Sequence, residues 1–190
     1  MYFFLIVKSY SKNRLQNIKF IINKPNKLNC MVFFNGNKTT KIGRSEHISC
    51  TKIIEFDAGH RVFDADTDKC EKLHGHHYKA EITFTADVLD NGMVVDFTVI
   101  KNRVKNWIDQ NWDHNVILSH RDNKLANSIN ETTGQNVFIL KNNATTELKA
   151  MYLLELCNQT LFEDLDANII CSKVKIWETP TSFAEYEIDE

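Results

Sequence analysis

The feature that most constrains this chain is a change of hydrophobic period near Asp96. Across residues 77–88, Ala80, Ile82, Phe84 and Ala86 alternate with Glu81, Thr83 and Thr85. That is the period-two signature of a strand with one buried and one wet face. Asp90-Asn91-Gly92 follows as a turn, because Asn and Gly accept the left-handed backbone that tight turns need. Beyond Asp96, Phe97, Ile100, Val104, Trp107 and Ile108 fall at intervals of 3, 4, 3 and 1. This is one face of a helix over residues 97–109, with Asp96 as its N-cap. A chain that passes from strand period to helix period across one turn is neither all-α nor all-β.

The flanking segments repeat both types. Residues 51–61 are rich in β-branched and aromatic side chains and read as a strand with imperfect alternation. Residues 113–118 form a short segment, and residues 119–141 read as a polar loop, too long to be a mere connector. Asn143 or Thr145 can cap a second helix with Glu147 in its first turn. Its apolar set is Leu148, Met151, Leu154, Cys157 and Leu161, with Leu153 and Leu156 beside it, broad enough for burial on more than one side. Residues 167–179 and 182–188 close the chain as two strands joined at Pro180. Strand, strand, helix, helix, strand, strand gives an α+β fold with helices on one face of an antiparallel sheet. A sheet this small keeps exposed edges, which can pair between subunits.

At 190 residues and 43% hydrophobic content the chain suits one packed domain. Its charge is uneven: residues 1–50 carry nine Lys/Arg against one acidic residue, residues 51–190 fourteen against twenty-four. We read residues 1–50 as a basic N-terminal extension, disordered or apart from the core, and residues 51–190 as the domain. The extension can be a disordered arm, an upstream stretch of reading frame with translation starting at Met31, or a targeting leader. No run approaches the ~18 apolar residues of a spanning helix, and neither a membrane nor a nucleic acid is expected as partner. The five cysteines, an odd number and widely spaced, argue against a disulfide framework and for a reducing cytoplasmic setting.

The chemistry concentrates in Phe56-Asp57-Ala58-Gly59-His60 and Cys70-Glu71-Lys72-Leu73-His74-Gly75-His76. If these stretches lie in neighbouring strands, His60, His74 and His76 converge, since residues two apart on an extended chain share a face. Three neutral imidazoles make a catalytic-type zinc site with one position open to water or substrate, although they also suit other divalent ions. Cys70, in a polar loop, is a candidate base or nucleophile beside that metal. Taken singly, each histidine reads as a surface or core residue and the cysteine as a small buried hydrophobe; the joint spacing together with the family resemblance given below favours the site. His77 points to the opposite face and stays outside the ligand set.

Six segments occur in an order that resembles the family of 6-pyruvoyltetrahydropterin synthase and 6-carboxytetrahydropterin synthase. They are Phe56-Asp57-Ala58-Gly59-His60-Arg61, Cys70-x-x-x-His74-Gly75-His76 followed by Tyr78, Val95-Asp96-Phe97, Asp113-His114-Asn115, Thr145-Thr146-Glu147 and Trp177-Glu178-Thr179. The resemblance implies the tunnelling fold (T-fold), a four-stranded antiparallel sheet with two helices on one face. It also implies three subunits closing a barrel and two trimers stacked as a homohexamer, with active sites at subunit interfaces. It further implies Zn2+ on His60, His74 and His76, catalysis by Cys70, and a proton relay through His114 with Asp113 holding its tautomer. Glu178 would anchor the pterin, with Thr145 and Thr146 adding polar contacts that helix capping explains almost as well. The implied substrate is 7,8-dihydroneopterin triphosphate, whose side-chain hydroxyls bind zinc while Cys70 removes a proton.

Motif spacing separates the products. Three residues between Cys70 and His74 resemble the bacterial 6-carboxytetrahydropterin synthases of queuosine and deazapurine biosynthesis, which release acetaldehyde and triphosphate. The animal-type pyruvoyl enzymes resemble a five-residue spacing instead. Glu71 completes Glu-x-x-His-Gly-His, which resembles variants whose glutamate base yields 6-hydroxymethyl-7,8-dihydropterin for folate synthesis, so Glu71 is a candidate second base. The expected activity is a zinc-dependent lyase giving the carboxy product, with the hydroxymethyl and pyruvoyl products as alternatives. A non-catalytic zinc-binding scaffold is the reading from another class, and joint retention of Cys70, His114 and Glu178 argues against it.

Overall fold

The computed structural model describes residues 4–11, 14–21, 39–41, 48–165 and 168–188. Most of residues 1–47 lie outside the described residues, and with them the expectation of an extension apart from the core. Within that stretch β1 (Phe4–Ser11) and β2 (Arg14–Ile21) pair antiparallel with each other, and β3 (Thr39–Lys41) follows.

Two thirteen-residue strands, β4 (Ile48–His60) and β5 (His74–Ala86), pair antiparallel along their whole length, with Ile48 opposite Ala86 and His60 opposite His74. Alternation decides which side is inward. Tyr78, Ala80, Ile82, Phe84 and Ala86 are buried in β5, and the ragged pattern of β4 resolves into buried Ile54, Phe56, Ala58 and His60. The short α1 (Asp68–Glu71) sits in the loop between them. β6 (Val88–Asp90) pairs with β3 and leads into the expected turn. There Asn91 and Gly92 take φ of +54° and +78°, and Asp90 and Met93 exchange backbone hydrogen bonds of 2.9 and 3.0 Å.

The first long helix consists of α2 (Phe97–Ile100), a π-helical turn (Lys101–Lys105) and α3 (Asn106–Asn111) in unbroken succession. Asp96 caps it as expected, its Oδ1 accepting from Thr98 N at 2.6 Å. The buried line is Ile100, Val104, Ile108 and Trp112, whereas Phe97, expected on the buried stripe, is 52% exposed. The π turn accounts for the change, because a wider turn brings residues four apart into register.

β7 (Asn115–Ser119) is followed by a second departure. The loop expected over residues 119–141 is a 3₁₀ turn (His120–Asp122), α4 (Asn123–Thr133) and β8 (Val137–Leu140). Ser119 Oγ accepts from Arg121 N at 3.2 Å, and Gly134, at φ +71°, ends the helix. Leu125, Ala126 and Ile129 pack on Val116, Leu118 and Val137 in a small core of their own. So few apolar residues suffice that the segment reads as polar.

α5 (Thr146–Leu156) runs on into a π turn (Cys157–Leu161), with Thr145 as N-cap. Its buried face is Thr146, Lys149, Ala150, Leu153 and Leu154. Leu148 and Met151, expected at the centre of the apolar stripe, are half-buried. The helix is rotated because Lys149 goes inside, its amine bonded to Tyr78 Oη at 2.8 Å.

β9 (Ile169–Thr179) and β10 (Ser182–Glu187) close the chain as expected. The sheet order is β10-β9-β5-β4-β7-β8. The expected four antiparallel strands are present, and β7 and β8 extend them in parallel from β4. Both long helices bury their faces against the side bearing Phe56, Tyr78 and Ile82. Among the described residues no helix is long and apolar enough to cross a membrane.

Candidate active site

The β4–β5 register sets His60 opposite His74 and Ala58 opposite His76, so three imidazoles meet at one end of the strand pair. Their ligand-capable nitrogens lie within 4.8 Å of one another. His74 Nδ1 is 2.6 Å from Lys72 O, and His60 Nδ1 is 2.9 Å from Ala144 O. A carbonyl only accepts, so the His74 contact favours a proton on its Nδ1 and a lone pair on its Nε2, whereas His60 Nδ1 is shared between Ala144 O and Lys149 Nζ. His60 Nε2 and His76 Nε2 are buried without a hydrogen-bond partner. Glu178 Oε1 stands 3.3 Å from His60 Nε2, close enough for charge contact but not aligned as a hydrogen bond. Burial first, and then the neighbouring Lys149 charge, pushes His60 down to about 3. Burial likewise lowers His76, against the pull of Glu178. Three imidazoles that bring nitrogens within 4.8 Å of one another, two of them buried and orphaned, fit a divalent cation such as zinc.

Behind His60 lies a network that sequence reading missed. Lys149 Nζ, wholly buried, is 2.9 Å from His60 Nδ1 and 2.8 Å from Tyr78 Oη. Burial pushes this amine down to about 7, although Glu178 and Glu147 pull the other way. Burial, and then Glu178, also raises the Tyr78 hydroxyl. The available signal was a lysine three residues after Thr146 and four before Leu153, on a face that is otherwise buried.

A cavity of about 230 Å³ adjoins the imidazoles through Glu178. Cys70, Thr145, Thr146, Glu178, Ser182 and Phe183 are in its lining. Thr146 Oγ1 donates to Glu178 Oε1 at 2.8 Å. Thr145 Oγ1 accepts from Leu148 N at 3.4 Å, so its hydroxyl serves as the helix cap. Cys70 is half-buried and its Sγ accepts from Thr67 Oγ1 at 3.5 Å, whereas Glu71 is exposed and outside that lining.

Asp113 and His114 lie outside that cavity. His114, at φ +57° and with 80% of its side chain exposed, places Nδ1 3.0 Å from Asp113 Oδ1. Both residues adjoin Asp57, which donates its N–H to Asp113 Oδ1 at 2.9 Å and accepts from His114 N at 2.7 Å. His114 opens on a groove of about 540 Å³ whose lining also includes His74 and His76 but not Cys70 or Glu178. Within one subunit, Cys70 and His114 therefore line different cavities.

Comparison with known proteins gives this geometry its context. Residues 49–189 match the family model of 6-pyruvoyl tetrahydropterin synthase. The chain is 44% identical over 139 residues to the 6-carboxy-5,6,7,8-tetrahydropterin synthase of Rickettsia typhi, covering 73% of this chain and 99% of that protein. It is 30% identical over 144 residues to the enzyme of that name from Haemophilus influenzae, covering 72% and 96%. An uncharacterized protein from Wolinella succinogenes superposes with a TM-score of 0.65 at 23% identity, covering 76% of this chain and all of the other. The 6-pyruvoyl tetrahydropterin synthase of Caenorhabditis elegans does so with 0.53 at 21%, covering 78% of this chain. These structural likenesses establish the tunnelling fold. The match across nearly the whole described core, joined to relatives spanned almost end to end, means that the chain belongs to the 6-pyruvoyl tetrahydropterin synthase family.

Proposed function

We propose that the protein is a zinc-dependent lyase that converts 7,8-dihydroneopterin triphosphate to 6-carboxy-5,6,7,8-tetrahydropterin, with release of acetaldehyde and triphosphate. One observation carries the reading: Cys70 and Glu178 line a single cavity, and Glu178 also stands 3.3 Å from an imidazole triad with unpartnered nitrogens. The name borne by the Rickettsia relative and the three residues between Cys70 and His74 support the carboxy product.

Each residue has a task its position suits. His60, His74 and His76 would hold the ion, two of them oriented through Nδ1. A bound zinc ion would supply Lewis acidity toward the substrate's side-chain hydroxyls. Glu178, steadied by Thr146, accepts paired N–H bonds from the pterin's 2-amino group and ring nitrogen. Cys70 takes a proton from the substrate side chain as general base. Its place in the lining, with Glu71 turned to solvent, favours the carboxy over the hydroxymethyl product. His114 completes the relay from a neighbouring subunit, because in its own subunit it opens on another groove. Asp113 holds the Nδ1–H and leaves Nε2 for proton transfer. This division of labour supports a homohexamer, a dimer of trimers with shared sites, working in the cytoplasm.

The test is incubation of zinc-loaded protein with 7,8-dihydroneopterin triphosphate and identification of products by mass. We expect 6-carboxy-5,6,7,8-tetrahydropterin and acetaldehyde. The hydroxymethyl compound as sole product would move the chemistry to Glu71, and absence of turnover would leave a binding scaffold.

A further inference from the structure

Thr67 stands where a helix cap is expected and does something else. It precedes α1 (Asp68–Glu71) with φ −129° and ψ 135°, the extended backbone of an N-cap, yet its side chain makes no capping bond. A threonine there ordinarily accepts from a backbone N–H of the first turn. Here the turn is closed by backbone alone, with Cys70 N donating to Thr67 O at 3.2 Å. The hydroxyl goes to the sulfur instead, Thr67 Oγ1 donating to Cys70 Sγ at 3.5 Å.

The place of the sulfur is fixed from a second side. Val62 N donates to Cys70 O at 2.8 Å, tying the thiol-bearing residue to the chain two positions beyond His60. Asn143 fastens the same stretch to the start of α5 through bonds of 2.9 and 2.8 Å with Phe63 N and O. Glu147 and Glu178 share the cavity lined by Cys70, and Asp68 and Glu71 share its helix, against the amines of Lys69 and Lys72. Carboxylates repel negative charge on a sulfur, whereas a hydroxyl donor holds it.

We propose that Thr67 is a positioning residue for Cys70, its hydroxyl holding the sulfur as a thiolate beside the cavity. The use of that thiolate in turnover rests on the function proposed above, whereas the bond to sulfur does not. In the step concerned a C–H bond of the substrate side chain breaks, its proton forms S–H on Cys70, and the electron pair stays with the substrate. Thr67 keeps its own proton throughout. It occupies one lone pair of the sulfur and leaves the others to receive the substrate's proton. A hydrogen bond to a charged acceptor enriches the thiolate about tenfold. Lower basicity returns about half of that gain on a logarithmic scale, so the net factor is about three.

The experiment alkylates the full chain with iodoacetamide at neutral pH and follows the peptide carrying Cys70 by mass, beside steady-state turnover of the zinc-loaded protein. Thr67→Val keeps the shape and loses the donor; Thr67→Ser keeps the donor and loses the methyl group. Thr67→Val should slow alkylation about threefold and lower kcat by about the same factor, with KM nearly unchanged, whereas Thr67→Ser should match the wild type in both. A Thr67→Val chain alkylated at the wild-type rate overturns the proposal. So does a Thr67→Ser chain as slow as Thr67→Val, because the hydroxyl would then not be what matters. If alkylation separates the two variants as expected while turnover does not, the bond to sulfur stands and the reading of Cys70 as base falls.

Discussion

His76 and His77 are adjacent in sequence and opposite in circumstance. His76 belongs to the inner face of the β4–β5 pair, where His60 is 1% exposed and two imidazole nitrogens have no hydrogen-bond partner. His77 belongs to the outer face, 62% exposed against an Asp57 that is 59% exposed. Inside, donors must be satisfied by a neighbour or an ion, and burial keeps His60 neutral. Outside, water and carboxylates are at hand, and His77 is met by Asp57. The comparison teaches that on a strand the parity of a residue's number decides its chemistry as much as its type does.

Removing an inner donor should have the largest effect. His74→Ala or His76→Ala should lower turnover by about three orders of magnitude or more, the several kcal/mol of charge stabilisation that a catalytic ion supplies. Glu55→Gln, on the outer face and outside the imidazole cluster, should stay within about twofold; an equal loss there would erase the distinction. Next in size, Cys70→Ala should cost about 10²–10⁴-fold, the usual share of a general base, and Glu71→Ala far less. An equimolar, co-refolded mixture of Cys70→Ala and His114→Ala subunits should regain activity that neither homo-oligomer has. Continued inactivity of the mixture would count against a site shared between subunits.

The metal-free inner face should also show itself in stability. The Lys149 amine sits at about 7 in the fold against an ordinary 10.5, so between those values the unfolded chain binds the extra proton. Stability therefore rises with pH across that window, by roughly 1.4 kcal/mol per pH unit at most. His60, at about 3 against 6.5, gives a second window, with stability lost progressively as pH falls from about 6.5 toward 3. Urea denaturation of stripped Lys149→Met should lack the alkaline rise and be about 2–4 kcal/mol more stable at neutral pH. A variant less stable than wild type would mean the amine holds the fold together. The smallest effect belongs to Thr146→Val, which loses one hydrogen bond to Glu178. It should raise KM about fivefold, about 1 kcal/mol, with kcat nearly unchanged.

What was legible in the sequence was local. The β5 alternation, the Asn91-Gly92 turn and the Asp96 cap depend on neighbours within a few positions, and each formed as read. His60, His74 and His76 also followed from parity once β4 and β5 were taken as partners. The parallel pairing of β7 and β8 left no local mark, because it joins segments far apart in the chain. α4 was masked by its polar composition. Lys149 misled the reading of α5, since a charged residue counts toward the wet face until its buried partners are known. The separation of Cys70 from His114 is a three-dimensional fact that motif order does not encode.

The start of α5 reaches the imidazole cluster and the cavity beside it. Asn143 bonds to both N and O of Phe63, Ala144 holds His60, Thr146 holds Glu178, and Lys149 reaches His60 and Tyr78. A single segment thus seats both the donor cluster and the proposed pterin anchor, Glu178. Occupancy of one should be felt by the other, and by thermodynamic reciprocity the effect must run equally in both directions. A pterin in the cavity would then tighten binding of the ion by the same free energy with which the ion tightens the pterin, making the entry to one helix a shared latch.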